Sequence, residues 1–434
     1  LVPALGILAL TLFMLRLLPI FITILAWITA QTRSVSILMA ARRFARAPGA
    51  YTMPLILLVL TLSLSAFTAA LAETLNHHMN DAAYYESGAD AKFLDFGTKL
   101  DTPDLASRYS FFPTAQYLGP NAYTAARVGQ YTSRISISGG TYSGRFLAVD
   151  RYEFPLVAFW RKDFASKDLG TLMNELASSD DAALAPREFM AANALTIGDR
   201  VTVTVESRND GIRLDVPLTI VGDFDLFPTW YPSEGPLFVA NLDYIFERAG
   251  GDFPYHVWFD AAPEFRRNQI NVVSQHIALT SPQYDIYVEE RRPERQGLFG
   301  LLSVGFLGAA VLTAVGFLLY VLFSFRQRFI EIGMLRAIGL SMRQLALLLI
   351  AELASVILTG ALIGTVLGIL ASLFFIPYLQ VDSGVPPFVV EISWFAVLRI
   401  YILFSWLFAI ALGALAFSLR RMKLFQAIKM GETA

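Results

Sequence analysis

The chain contains five long apolar stretches, and no other feature restricts its fold as strongly. An α-helix rises about 1.5 Å per residue, so each stretch is long enough to cross a hydrocarbon layer of about 30 Å. Apolar residues make up 55% of the 434 residues, and the mean hydropathy of +0.52 is too high for a soluble globular protein. We therefore predict a polytopic α-helical membrane protein with crossings at Leu1–Ala30, Tyr51–Ala72, Leu298–Phe325, Leu345–Leu379 and Phe395–Phe417.

Charged residues are unevenly distributed between the polar segments. Residues 74–296 contain 30 of the 36 acidic residues but only 20 of the 34 basic ones. Basic residues in short loops mark the cytoplasmic side of a membrane protein. We therefore place residues 74–296 outside the cytoplasm and three basic groups inside it: Arg33, Arg42, Arg43 and Arg46; Arg326, Arg328, Arg336 and Arg343; and Arg420, Arg421, Lys423 and Lys429.

Residues 74–296 are predicted to form a large α+β extracytoplasmic domain between transmembrane helices. The chain has no cysteine, so this domain depends on a packed core of one or two lobes and not on disulfides. Alternating residues predict a hairpin over Val201–Ile220, with an Asp-Gly turn, and a second pair of strands at Thr132–Ser138 and Phe146–Val149. Helices are predicted at Ala70–Asn80, Asp163–Met190 and Asn241–Arg248.

The N-terminal region is predicted to contain two crossings joined by an amphipathic segment. Residues 1–33 are interpreted as a transmembrane helix that ends a preceding unit. Ser34–Ala47 places apolar and basic residues on opposite faces at helical spacing, which is typical of an interfacial helix on the cytoplasmic leaflet. A short surface linker is the alternative. Residues 34–73 are assigned to this elbow helix and a stalk helix, and residues 297–434 to a domain with three crossings.

The segment Arg326–Gly368 contains a predicted sharp corner between two helices. Apolar residues at i, i+4 and i+8 predict a short amphipathic cytoplasmic helix with Ile330, Met334 and Ile338 on one face. Gly339 follows, at a place where helices commonly end with a residue of positive φ. Ser341–Gln344 has the S-x-x-Q form of a capping box and predicts the start of the next helix.

The helix after this corner carries a ridge of small residues and one carboxylate. Gly360, Gly364 and Gly368 are spaced by four residues, which lets another helix approach closely. Glu352 lies within the same apolar stretch, where a carboxylate is costly unless it is paired, hydrated or near the interface. Both a coupling role and a simple interfacial position for Glu352 are open.

Several other classes of site are disfavoured by the sequence. No G-x-x-x-x-G-K-[ST] phosphate loop occurs, so the chain is not expected to be an ATPase, and no catalytic residue is predicted. No metal site is expected, because His77 and His78 have no third ligand at suitable spacing. The aromatic segment Leu226–Pro232 fits either an apolar ligand or core packing beneath a loop. The acidic outer region disfavours nucleic acid as a partner.

The segment Arg326–Gly368 resembles the FtsX-like permease family. The family signature has a basic residue, Glu-Ile-Gly, Leu-Arg-Ala-hydrophobic-Gly and a later helix glutamate in this order. The chain has Arg328, Glu331-Ile332-Gly333, Leu335–Gly339 and Glu352 at these places. A looser similarity includes the elbow helix, Ala194–Phe246 and the C-terminal tail, and it covers most of residues 34–434. Residues 1–33 then resemble the last crossing of a preceding repeat, as in tandem permeases.

The resemblance implies an ABC transporter permease of the mechanotransmission type, a multi-pass protein of the bacterial cell (inner) membrane. It implies a dimeric ABC ATPase as energy source, with ATP and Mg bound on that partner and no cofactor in this chain. A second permease subunit or preceding repeat, membrane lipid and an extracytoplasmic partner are the other implied partners. The implied ATPase-coupling surface comprises Arg328, Phe329, Glu331, Ile332, Gly333, Leu335, Arg336, Gly339 and Arg343.

Two functions of different classes fit this resemblance. In the first, the chain exports or extracts a lipid, lipoprotein or peptide-like substrate through a shape change of the outer domain. In the second, the same movement activates an extracytoplasmic partner, such as a cell-wall hydrolase, and nothing is carried. An intramembrane enzyme is disfavoured because the crossings contain no nucleophile and base pair.

Overall fold

The computed structural model divides into two compact units, one formed by Leu1–His77 with Pro293–Ala434 and the other by His78–Arg292. The predicted elbow helix Ser34–Ala47 and most of Leu1–Ala30 lie outside the described residues. The structure describes residues 51–94, 97–99, 109–110, 122–137, 140–207, 212–261, 278–327, 341–380 and 384–420, together with residues 5, 6, 9–11, 13, 16, 334 and 339.

In the described part of the chain, a set of short helices and strands lies between one long apolar helix and three further long helices. Its helices are α1 (Thr52–Ser87), α2 (Phe154–Val157), α3 (Leu169–Leu176), α4 (Arg187–Ala192), α5 (Leu242–Ala249), α6 (Pro282–Glu290), α7 (Pro293–Gln327), α8 (Met342–Phe375) and α9 (Trp394–Arg420). Its strands are β1 (Ala91–Leu94), β2 (Thr98–Lys99), β3 (Tyr109–Ser110), β4 (Ala122–Ile137), β5 (Gly140–Val149), β6 (Ala182–Pro186), β7 (Arg200–Glu206), β8 (Arg213–Phe224), β9 (Leu237–Asn241), β10 (His256–Ala261) and β11 (Ala278–Thr280).

The first unit is helical, and its helices follow the apolar stretches of the sequence. Among the described residues, three segments are long and apolar enough to cross a membrane: Thr52–Ser87, Pro293–Val321 and Arg343–Phe375. A shorter apolar helical segment covers Trp394–Ile410 within α9. These helices share one buried apolar cluster, to which α1, α7, α8 and α9 all contribute. The ring of Phe317 on α7, for example, meets that of Phe408 on α9 edge-on, with centroids 4.9 Å apart.

In the second unit, strand pairing closes a ring of six strands. β4 pairs with β5, β5 with β9, β9 with β6, β6 with β8, β8 with β7, and β7 pairs again with β4. Closure is possible because β4 is 16 residues long and has two partners on one side. Its first half pairs with β10, and Thr132–Ser136 pairs with β7. The unit is therefore a small barrel with three further strands, β10, β1 and β11, attached through β4.

The inside of the barrel is filled by side chains from all six strands. Alternation along β7 buries Val201, Val203 and Val205, while the intervening threonines face outward or are half-buried. One apolar cluster joins these valines to buried residues of β4, β5, β6, β8 and β9 and to helices α4 and α5. The predicted hairpin Val201–Ile220 and the predicted strand pair of β4 with β5 are confirmed.

A second apolar cluster covers the other face of the same strands. It contains α2, α3 and the aromatic residues Phe224, Phe227, Trp230 and Trp258. Asp168 caps α3 by accepting a hydrogen bond from the backbone N–H of Thr171, which fixes where this helix begins. Strands β6 and β9 are thus covered on both faces, and the region contains both helices and strands, as the α+β interpretation predicts.

One predicted helix of this region is wrong in part. Asp163–Met190 was expected to be helical, but the structure contains α3, then strand β6, then the short helix α4. All five residues of β6 are buried, because β6 lies between β9 and β8 with covering layers on both faces. Its sequence Ala-Ala-Leu-Ala-Pro lacks the alternation that marks a half-exposed strand. The predicted helix at Asn241–Arg248 is confirmed as α5.

Candidate functional site: the contacts of helix α1

Helix α8 packs closely against helix α1 through three glycines. A Cβ added at Gly360 would lie 3.0 Å from Cβ of Leu58, and one at Gly364 would lie 2.9 Å from Cβ of Leu62. At Gly368 the contact is closest, since an added Cβ would lie 2.6 Å from the backbone oxygen of Ser63. The predicted ridge of small residues is thus the surface where α8 meets α1, and no larger side chain fits there without movement of a backbone.

Glu352 on α8 is tied to the start of the same helix. The Glu352 side chain is 2% exposed, and its Oε1 accepts a hydrogen bond from the hydroxyl of Tyr51. Tyr51, which directly precedes α1, is itself 1% exposed. The carboxylate therefore links α8 to the residue that precedes α1, although the two residues are 301 positions apart in sequence. Sequence reasoning identified Glu352 but not Tyr51, because nothing local distinguishes this tyrosine from an interfacial aromatic residue.

Other pairs of long helices are also joined by buried or half-buried hydroxyl groups. Thr61 on α1 and Thr313 on α7 form a hydrogen bond of 2.6 Å, and Thr365 on α8 and Tyr401 on α9 form one of 2.5 Å. In an apolar layer such bonds contribute about 0.6 kcal/mol each on average, so they define the register of the helices more than their stability. Helix α1 is thus linked to α7 through Thr61, and the residue that precedes it, Tyr51, is linked to α8.

The predicted corner before α8 is described only at its end. Gly339 has a φ of +108°, a conformation that favours glycine, and it is exposed. Ser341 caps α8 through a complete capping box: its Oγ accepts from Gln344 N, and Gln344 Oε1 accepts from Ser341 N. The predicted capping box is confirmed, and Arg343 lies exposed in the first turn of α8. The other predicted coupling residues lie outside the described residues: Arg328, Phe329, Glu331, Ile332, Gly333, Leu335 and Arg336.

The last turns of α1 belong to the second unit and are fixed there by a buried ion pair. Asp81 accepts a hydrogen bond from Arg161 Nη1 at 2.7 Å, and Arg161 also contacts Asp163 at 2.5 Å. The Arg161 and Asp81 side chains are only 11% and 9% exposed. Burial opposes the charged form of Arg161, but hydrogen bonds with Asp163 and Asp81 still raise the pKa of its guanidinium. Removing either partner of a buried ion pair is strongly destabilising, because the charge of the other partner stays buried.

Tyr85, one turn further along α1, is buried against Phe164 and Tyr231, beside the second apolar cluster. Its hydroxyl donates a hydrogen bond to the backbone oxygen of Trp230, and its backbone oxygen accepts from Thr229 N at 2.8 Å. The tyrosine side chain is fully buried. Phe227 and Trp230 are also buried, so the aromatic segment Leu226–Pro232 forms core beneath a loop, and the apolar-ligand interpretation is not supported.

Helices α7, α8 and α9 match the model of a known family. Residues 303–423, which contain most of α7 and all of α8 and α9, match the family model for the FtsX-like permease C-terminal domain. The chain carries an FtsX-like permease domain. No curated protein matches the chain. The match includes the corner, Glu352 and the three glycines, and it confirms the resemblance deduced from Arg326–Gly368.

The FtsX-like permease domain and the long apolar helices together indicate a membrane protein with a large α/β domain. The family assignment indicates an ABC transporter-type permease or a related signalling role, and an ATPase is the typical partner of such permeases. The coupling roles of individual residues stay predictions.

Proposed function

We propose that the chain is the permease subunit of an ABC-type machine in which helix α1 carries movement from the membrane unit to the α/β unit. The observation that supports this proposal is the double attachment of α1. Its first half is packed against the glycines of α8 and linked to Glu352, whereas its last turns hold Asp81 and Tyr85 in the core of the other unit. A displacement of the start of α1 therefore has a continuous helical path to the α/β unit.

The length of α1 supports a role as a stalk. Its 36 residues correspond to about 54 Å of helix at 1.5 Å per residue, which is longer than a hydrocarbon layer of about 30 Å. In the proposed topology the chain is multi-pass in a bacterial cell (inner) membrane, with residues 74–296 extracytoplasmic. The corner before α8 is cytoplasmic and contacts a dimeric ATPase, which binds ATP and Mg. The chain itself performs no hydrolysis.

Charge reversal in the proposed coupling surface tests the ATPase contact. In Glu331→Lys and Arg336→Glu, like charges would face the partner surface, so we expect the chain to insert normally but to lose stimulation of the ATPase. The measurement is ATP hydrolysis by the reconstituted complex, with co-purification of the ATPase as a second readout. Arg399→Glu, a charge reversal on α9 away from the corner, is the control. Full binding and stimulation in both corner variants would contradict this assignment.

The Tyr51 link gives a second test that does not alter the corner. Tyr51→Phe removes a hydroxyl that donates to the buried Glu352 carboxylate, so it should lower stability by about 1–3 kcal/mol. If the link passes movement from α8 to α1, ATPase binding stays normal while coupled substrate movement or partner activation falls several-fold. Thr313→Val removes the hydrogen bond between Thr313 on α7 and Thr61 on α1, and this variant serves as the control. Equal effects of the two variants would show that Tyr51 has no special role in coupling.

Export or extraction of a lipid, lipoprotein or peptide-like substrate is the function we favour. The filled interior of the barrel is consistent with a domain that acts by moving as a body and not by enclosing cargo. The same feature fits the alternative, a signal transmitter that activates an extracytoplasmic partner such as a cell-wall hydrolase. ATPase stimulation by one lipid or peptide class in the reconstituted complex would support export. Indifference to every class, together with co-purification of a hydrolase, would support the signal transmitter.

A further inference from the structure

Helix α6 carries an exposed stripe of aromatic and basic residues. Tyr287 and Val288 follow Tyr284 by three and four residues, and the C-cap residue Arg291 follows them by four and three, so these residues lie on one side at the end of the helix. Tyr284 is 62% exposed, Tyr287 49% and Val288 41%. The start of the helix is held within its own unit, because Pro282 is buried and Ser281 donates a hydrogen bond to Asp90 O.

The chemistry of this stripe suits the headgroup layer of a membrane. Tyrosine rings are enriched at that depth because the ring is apolar and the hydroxyl is polar. The guanidinium of Arg291 lies over the ring of Tyr287, 3.9 Å from its centroid, so the charge and the aromatic surface are presented together. Arginine forms strong hydrogen bonds with phosphate groups, which supply the complementary charge of this layer.

The stripe lies close in sequence to a candidate membrane span. Only Arg291 and Arg292 separate α6 from α7, whose segment Pro293–Val321 is apolar enough to cross a membrane. Tyr287 is six residues before Pro293, and even an extended chain spans at most about 3.6 Å per residue. Tyr287 is therefore within roughly 22 Å of the start of α7.

We propose that the stripe of Tyr284, Tyr287, Val288 and Arg291 rests in the lipid headgroup layer and anchors the α/β unit beside the entry of α7. This inference rests on the membrane placement of α7 in the proposed function. The stripe thus contacts lipid and not a protein partner.

Single-cysteine labelling of the full chain tests this contact, since the chain contains no native cysteine. Tyr287→Cys is labelled with a small fluorophore in phosphatidylcholine vesicles that contain a lipid with a nitroxide on its headgroup or on its acyl chain. Tyr284→Cys is a second probe of the stripe. Tyr152→Cys is the control in the same unit, because Tyr152 is 72% exposed. Leu312→Cys on α7, also 72% exposed, reports insertion of the span.

We expect headgroup nitroxides to quench the probes at 287 and 284 several-fold more than the probe at 152. The probe at 312 is expected to be quenched mainly by acyl-chain nitroxides. Equal, weak quenching at 287, 284 and 152 overturns the lipid contact while leaving the proposed function intact if the probe at 312 is quenched. Absence of quenching at 312 overturns the membrane placement of α7, and the lipid contact with it.

Discussion

Replacing Gly368 with valine is expected to destabilise the helical unit. An added Cβ would lie 2.6 Å from both Ser63 O and Ala66 Cβ on α1, and a backbone oxygen cannot rotate away. Helices α1 and α8 must therefore separate, and overpacking of this kind costs about 1–3 kcal/mol. The measurement is the thermal unfolding midpoint of the purified chain in detergent, together with the yield of monodisperse protein.

Gly308→Val provides the matched control for this prediction. Gly308 is also a helical glycine in an apolar span, but among the described residues no atom beyond its own helix backbone lies within 4 Å of an added Cβ. We expect little change in the unfolding midpoint for this variant, because the new side chain enters open space. If the two variants unfold at the same temperature, the close approach of α8 to α1 at Gly368 is not a source of stability.

The helical unit could be largely predicted from the sequence. Apolar stretches determine where a helix crosses a membrane, since every backbone polar group must be satisfied within the helix. The positive φ of Gly339 and the capping box at Ser341 were also predictable, because both depend on residues within one turn of each other. The spacing of the glycines indicated a close helix contact but could not identify α1 as the partner.

The α/β unit was less predictable, because its order depends on contacts between distant residues. Strand β6 was missed since its burial comes from neighbours on both sides and not from its own pattern. The closure of the barrel requires β4 to pair with β7, which begins more than 60 residues after β4 ends. Asp81 and Arg161 are likewise 80 residues apart, and each alone looks like an ordinary surface charge.

Arg161→Leu is expected to destabilise the α/β unit strongly. It removes the arginine partner of the buried Asp81 carboxylate, and removal of one member of a buried pair typically costs about 3–5 kcal/mol. Because Asp81 lies in the last turns of α1, the attachment of this helix should loosen first. Hydrogen exchange of the backbone amides of Asn80–Ser87 should become roughly a hundredfold faster, as expected for a loss of about 3 kcal/mol in local stability.

Arg187 supplies a control, because it also forms ion pairs but lies nearer the protein surface. It also bridges two aspartates, Asp223 at 2.5 Å and Asp225 at 3.0 Å, but its side chain is 44% exposed. Exposed pairs contribute about 0–1 kcal/mol, so Arg187→Leu should leave the exchange of α1 unchanged. Adding Asp81→Leu to Arg161→Leu should recover much of the lost protection, because the uncompensated charge is then removed. A double variant as unprotected as Arg161→Leu alone would mean that arginine packing, and not charge pairing, holds the end of α1.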